Sequence, residues 1–257
     1  MTDSQVKILA VIPTISGKSA PYYAVSDCLR DPSVRVLVVD NGSAGKQFQA
    51  SALKNKTFHD RVEVVRLGVN MNWLHSNNFG ATVARERKIP YVCFINDDVR
   101  LSHPFFQPML EVYADNPDAR LVVPKYNGIF GTAQIAAHGS SGKSEVASFV
   151  DGTCMLLSQQ SISDIGFLDV CFEAPGWGAD VDYCHRVTQA GFKTYVACGS
   201  NLEHYRVKGG LSARDIYGGE KAWIKKGLEQ AKRNLAEKYG TDWRNILPLP
   251  PDAYGGG

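Results

Sequence analysis

Asn96, Asp97 and Asp98 stand at consecutive positions directly after Tyr91–Ile95, a short run of aromatic and β-branched residues. Such a run reads as a buried strand, so an amide and two carboxylates arrive together at a strand end. Adjacent carboxylates repel, and burying them without a partner is expensive, so the pair calls for positive charge. A hard divalent cation supplies it, and Mg2+ held through one or two carboxylates commonly also grips substrate phosphates. The alternative is a polar turn, because Asp and Asn are common turn formers. Asp40-Asn41-Gly42-Ser43 poses the same choice after the apolar run Val34–Val39. It is either a plain turn or a place where Asp40 accepts from a nucleobase N–H or a ribose hydroxyl. Asp180, in Trp177-Gly178-Ala179-Asp180-Val181-Asp182-Tyr183, sits where a helix opens. It reads either as a dipole-favoured cap or as a general base taking a proton from an acceptor hydroxyl. Asp182 and Arg186 are spaced as a helical ion pair. His204 follows a strand, and a histidine near an acidic cluster is a candidate metal ligand.

These residues need elements to gather them. Val6–Ile12, Val34–Val39, Val62–Leu67 and Tyr91–Ile95 read as strands, the first, second and fourth running into Pro13-Thr14, Asp40 and Asn96. Helices are expected over Tyr22–Leu29, Phe48–Leu53 and Asn77–Arg87, with Asn77 or Asn78 as the cap of the last. Strands without period-2 polarity, alternating with helices, predict an α/β fold with a mostly parallel sheet covered on both faces. Ligands bind such sheets beyond the carboxyl ends of the strands, which is where Thr14, Asp40 and Asn96-Asp97-Asp98 would meet. The second half predicts a helix over Pro104–Ala114, strands over Arg120–Val123 and Ser148–Leu157, and a helix stopped by Gly166. A helix over Val181–Ala190, a strand over Lys193–Ala197 and a helix over Glu220–Tyr239 follow. Tyr126–Glu145, rich in Gly, Ser and Ala, reads as loop or hairpin. No repeat or linker divides the chain, so one domain over 1–257 is expected. Its parts are residues 1–100, residues 101–205 and a C-terminal loop, helix and tail (206–257).

Composition bounds the function. The 257 residues are 44% hydrophobic and 21% charged with a net charge of +2, ordinary for a soluble globular protein. No basic run suggests a nucleic-acid surface, and the longest early apolar run is too short for a membrane span. Six scattered cysteines without a C-x-x-C pair fit reduced core thiols in a cytoplasmic protein. Gly17-Lys18-Ser19 and Gly142-Lys143-Ser144 are not phosphate loops, because Ile12 and Ala137 occupy the position of the required first glycine.

In order along the chain, these motifs resemble the inverting glycosyltransferases of family 2 with the GT-A fold, close to rhamnosyl- and galactofuranosyl-transferases. The resemblance runs from about Lys7 to Tyr205. It rests on Val39–Ser43, on Asn70 through Asn78-Phe79-Gly80 (with Asn72 replacing a usual glycine), and on Asn96-Asp97-Asp98 at the metal motif. It continues through Val150–Leu156, Gly166-Phe167-Leu168-Asp169 and Gly178–Arg186, where Ala179 stands in place of a usual acid. The resemblance implies a nucleoside-diphosphate sugar donor, with 1–100 as the nucleotide-sugar-binding half and 101–205 as the acceptor and catalytic half, and an Mn2+ or Mg2+ ion held by Asp98 and His204. Donor contacts are then expected from Pro13, Thr14, Asp40, Asn41, Gly42, Asn70, Asn78, Asn96, Asp97, Arg206 and Lys208. Asp180 would be the catalytic base, with Trp177, Gly178 and Asp151 on the acceptor side. The acceptor would carry a hydroxyl, as a glycan, lipid-linked sugar, modified nucleobase or small molecule does. Two other readings stand beside this one. A nucleotidyltransferase would share the sheet and acidic site, and Gly17-Lys18 is a thin version of its triphosphate loop. A sugar-nucleotide-binding pseudoenzyme is suggested by Ala179.

Overall fold

Ile8–Thr14 (β1) is buried along its whole length, and its alternate side chains enter two separate cores. Leu9 and Val11 pack on one face with Leu74, Ala81 and Ala84, while Ile8, Ala10 and Ile12 pack on the other with Ala24 and Val25. A strand buried on both faces cannot alternate in polarity, which is why the early strands read as continuous apolar runs.

The computed structural model describes residues 6–15, 19–43, 47–126, 134, 142–172, 176–204 and 218–247. After β1 come α1 (Ser19–Cys28), β2 (Val34–Asp40), β3 (Val62–Arg66), α2 (Asn72–Glu86), β4 (Tyr91–Ile95), β5 (Val99–Leu101) and α3 (Phe106–Asp115). Then follow β6 (Ala119–Tyr126), β7 (Ser144–Ala147), β8 (Cys154–Ser158), α4 (Gln159–Ile165), α5 (Ala179–Gln189), β9 (Lys193–His204), α6 (Glu220–Tyr239) and α7 (Trp243–Ile246). The strands form one sheet in the order β3-β2-β1-β4-β8-β6-β9-β5, with β7 also on β9.

The expected parallel sheet holds for β3-β2-β1-β4, and β6 and β9 pair in parallel too. The pairings of β8 with β4 and β6, and of β5 and β7 with β9, are antiparallel, so the sheet is mixed. The helix expected over Phe48–Leu53 is a short 3-10 turn at Ala50–Ala52, followed by another at Lys56–Arg61. Phe48 and Leu53 are its buried residues, and five positions apart they lie on different sides of an α-helix. The strand expected from Ser148 begins only at Cys154, because the Asp151 carboxylate accepts from both the N–H (2.8 Å) and the hydroxyl of Thr153 and folds that entry into a turn.

Helix α2 starts at Asn72, five residues before the expected cap. Asn72 has φ of 61°, the left-handed region that glycine enters freely and asparagine tolerates best among the others. Its Oδ1 accepts from the N–H groups of Leu74 (2.9 Å) and His75 (3.1 Å), so it caps as well as turns. Gly80, further along α2, is required for another reason: a Cβ there would fall 2.3 Å from a Val11 methyl.

The C-terminal helix is locked to α5 through a buried acid. Asp182, fully buried, accepts from Arg186 Nε (2.8 Å), Lys238 Nζ (2.5 Å) and the Tyr239 hydroxyl (2.5 Å). Lys238 also bonds Asp169, and Arg186 donates to the carbonyls of Ile165 (2.7 Å) and Phe167 (2.9 Å). One cluster thus fixes α4, α5 and α6 together.

Two stability predictions follow from these contacts. Asn72→Ala should cost about 2 kcal/mol, for the lost cap and the left-handed backbone, while Asn72→Gly should change stability by only a few tenths. Lys238→Met should destabilise by about 3 kcal/mol, because Asp182 and Asp169 lose a shared cation at a buried site. Urea unfolding of each variant against the wild type measures both.

Candidate functional site

Six strands point the same way, β1, β2, β3, β4, β6 and β9, and the polar residues collect at or beside their carboxyl ends. Thr14 ends β1 in register with Asp40, which ends β2. Asp40 is almost fully buried; its Oδ1 accepts from the Ser43 N–H (2.8 Å), and its Oδ2 has no partner among the described residues. An unpaired buried carboxylate oxygen is costly and suits a ligand N–H or hydroxyl. Gly42 lies against the next loop, where a Cβ would stand 3.1 Å from the Val69 backbone.

The Asn96-Asp97-Asp98 run leaves β4 and turns straight into β5, whose pairing with β9 sets Val99 opposite His204. That register brings His204 Nε2 to 3.0 Å from Asp98 Oδ1. Tyr126, at the end of β6, meets the imidazole edge-on with ring centroids 6.5 Å apart. Strand β5 is only three residues long, and it is held from outside by Asp27 of α1, which takes Arg100 Nε at 2.6 Å and the Leu101 N–H at 3.1 Å. Thr14 donates its hydroxyl to Asp97 Oδ2 (2.6 Å). Burial, and then the neighbouring charge of Asp98, push the Asp97 carboxyl up to about 7. The crowded carboxylates therefore favour a cation, and the Asp98–His204 donor set fits a divalent ion that completes its shell with water and phosphate oxygens. Among the described residues no group of three or more His, Cys, Asp or Glu side chains forms a closed metal cage.

Asp180 lies in the first turn of α5, whose cap is the left-handed Gly178, so it is not the cap itself. Its Oδ2 accepts from the Gly152 N–H (3.0 Å) and its Oδ1 from the Val181 N–H (2.9 Å). Burial, and next the charge of Asp151, raise its pKa to about 7, against the pull of those two N–H groups. A carboxylate poised near neutrality suits proton abstraction. Gln134, fully buried, holds the turn beneath it by accepting from the Asp151 N–H (2.7 Å).

The other expected residues divide. Pro13 is buried within β1. Asn41 spends its amide on the entry of α2, taking Ser76 Oγ (2.8 Å) and the Met71 N–H (3.3 Å) and donating to the Asn72 carbonyl (3.3 Å). Asn70 is exposed and accepts from the Asn72 N–H (2.9 Å). Asn78, expected on the donor, bonds the Leu168 backbone through both amide ends (2.8 and 3.1 Å), tying α2 to the segment after α4. Trp177 packs against α6: a Cβ on Gly227 would lie 2.7 Å from its ring, and Trp223 meets it edge-on at 5.0 Å. Much of its apolar surface is thus engaged by the C-terminal helix. Arg206 and Lys208 lie outside the described residues.

Two residues with local roles at the site went unassigned in the sequence. Gln134 sits in a segment with no periodicity to mark it. Trp73 stands among asparagines, and its aromatic body in that polar run was the available signal. Its Nε1–H donates to Asn96 Oδ1 (2.9 Å), and a Cβ built on Gly152 would fall 3.4 Å from its Cη2 and 3.2 Å from the Asp180 Cβ.

Among solved structures, 285 chains match. One, described as "Crystal structure of GalNAc-T7 with UDP, GalNAc and Mn2+", superposes with a TM-score of 0.64 at 14% identity, over 93% of this chain. The chain spans 50% of that chain's length, and the likeness supports the GT-A architecture. A comparison with curated protein sequences finds no match. Residues 11–165, from β1 to the end of α4 and so including the Asn96-Asp97-Asp98 motif, match Glycosyl transferase family 2, and the chain belongs to that family.

Proposed function

We propose that the protein is a metal-dependent, inverting glycosyltransferase that moves a sugar from a nucleoside-diphosphate sugar to an acceptor hydroxyl. The observation that carries this reading is the meeting, on one sheet edge, of the Asp98–His204 pair with a carboxylate raised to about 7 at Asp180. The Asn96 N–H bonds the Thr153 carbonyl at 3.0 Å, so the two parts are joined by backbone rather than by flexible side chains. Family membership and the UDP and Mn2+ bound by the GalNAc-T7 neighbour support a uridine diphosphate sugar and Mn2+ as first candidates. A divalent ion held by Asp98 and His204 would neutralise charge gathering on the departing diphosphate.

The chain's own groups do the rest. The Asp40 Oδ2 offers an acceptor to the donor's base or ribose. Thr14 keeps Asp97 in place through its hydroxyl. Asp180 takes the proton from the acceptor hydroxyl as that oxygen attacks the anomeric carbon. The bond from this carbon to the diphosphate oxygen breaks on the opposite face, which inverts the centre and needs no covalent enzyme intermediate. The resemblance to rhamnosyl- and galactofuranosyl-transferases makes their hexosyl donors candidates to assay, and the anomeric configuration of the product tests inversion. A nucleotidyltransferase would instead release pyrophosphate, and a pseudoenzyme would bind the donor without hydrolysing or transferring it.

Three outcomes are expected when nucleoside diphosphate release from sugar nucleotides is assayed with hydroxyl acceptors. Asp180→Asn should lower turnover at least a thousandfold while leaving donor affinity within a few-fold; near wild-type turnover would remove the base assignment. Because the base works ionised, the rate should fall about tenfold per pH unit below about 7 and level off above it. A chelator should abolish turnover and added Mn2+ should restore it, whereas full activity without metal would undo the role of Asp98 and His204.

A further inference from the structure

Trp73 touches both parts of the site, and the preceding reading gives that position a meaning. In an in-line displacement the transferred sugar lies between the diphosphate, at Asp98 and His204, and the attacking hydroxyl, at Asp180. The Trp73 indole spans this interval. Its pyrrole edge bonds Asn96, next to the carboxylate pair, and its benzo edge lies beside Gly152, whose N–H holds Asp180. Gly176, on the way into α5, borders the same ring, where a Cβ would come within 4.0 Å of Cε3. Glycine at 152 and 176 leaves room around the indole, which stays half-buried rather than enclosed.

The hydrogen bond also orients the amide. An indole N–H can only donate, so the Asn96 oxygen must face Trp73 and the Asn96 NH2 must face away with two donors. An aspartate here would accept the same bond but add a third carboxylate to Asp97 and Asp98 and offer no donor.

We infer that Trp73 and Asn96 together form the wall that selects the transferred sugar, a neutral hexose whose C–H face lies on the indole while a ring hydroxyl accepts from the Asn96 amide. An apolar platform with one placed polar group is how a pocket fixes the orientation of an amphipathic ring. Neutrality follows from the surroundings, because Asp151, beside Gly152, and Asp180, which works ionised, carry carboxylates on the side of the indole away from the Asp98–His204 cation site and would repel a uronate. Trp73 is thereby a specificity-determining residue, and the inference rests on the glycosyltransferase reading above.

Calorimetric titration in Mn2+ tests it, with UDP, GDP, dTDP and CDP, their hexose conjugates, and UDP-glucuronate. For the nucleotide that binds, Trp73→Ala should leave the Kd of the bare diphosphate within twofold and weaken its hexose conjugate at least tenfold. Trp73→Phe, which keeps a ring and loses the N–H, should fall between. UDP-glucuronate should bind the wild type at least tenfold more weakly than the UDP-hexose or, where another nucleotide is preferred, than that nucleotide's hexose conjugate. Equal weakening of diphosphate and conjugate, or no weakening in either variant, would overturn the role of Trp73. A uronate conjugate bound as tightly as the hexose would overturn the selection for a neutral sugar. If the wild type binds none of the nucleotides, the glycosyltransferase reading itself fails, independently of Trp73.

Discussion

Strand β8 runs against β4, and the site depends on that reversal. In a wholly parallel sheet the strand beside β4 would present its last residues at the carboxyl edge. Here it presents its first, so the turn Asp151-Gly152-Thr153 lands next to Asn96, fixed by the bond from the Asn96 N–H to the Thr153 carbonyl. Backbone hydrogen bonds of this kind hold geometry at little entropic cost, because both partners are already ordered by the ladder. From Gly152 the same turn reaches Asp180 on α5. The Asn96-Asp97-Asp98 run and Asp180, 82 to 84 positions apart in the chain, therefore share one rigid seam.

The second reversal does for His204 what the first does for Asp180. Three residues, Val99–Leu101, carry the chain back along β9, and their register alone sets the histidine against Asp98. So short a strand needs help, and Arg100 and Leu101 find it on Asp27 of α1, the helix that shares a core with β5. Side chains that never approach the site are thus part of its construction.

How much of this could be read from the sequence follows from what each signal depends on. Strands β1, β2 and β4 announce themselves because both their faces are buried, and the polar residues that end them mark the edge. Order along the chain also marks Asp180 and His204, since the helix start and strand end that carry them are local features. The antiparallel strands are another matter. Val99–Leu101 is too short for any period to show, and Asp151–Thr153 looks like strand until the Asp151 side chain is seen bending it. Asn41 and Asn78 have the types expected of ligand contacts, and no local signal shows that their amides hold α2 in place through partners 30 to 90 positions away. Residue type gives the chemistry a side chain can do; only the packing says where it is spent.

The carboxylate of Asp180 shows what the arrangement asks of the fold. Its unfolded pKa lies near 3.9 and its folded value near 7, so the native state holds the proton more tightly than the unfolded chain. For a raised acid the sign is unfavourable: between about pH 4 and 7 this group removes stability as pH rises, and above 7 the loss is complete. The same burial that brings the carboxyl near neutrality makes its charged form costly at the helix start that carries it. The clamp two residues further on, where Asp182 draws in Arg186, Lys238 and Tyr239, anchors that helix start from within the fold. A single turn of α5 thus carries a clamped acid deep in the structure and a destabilised one at the candidate site.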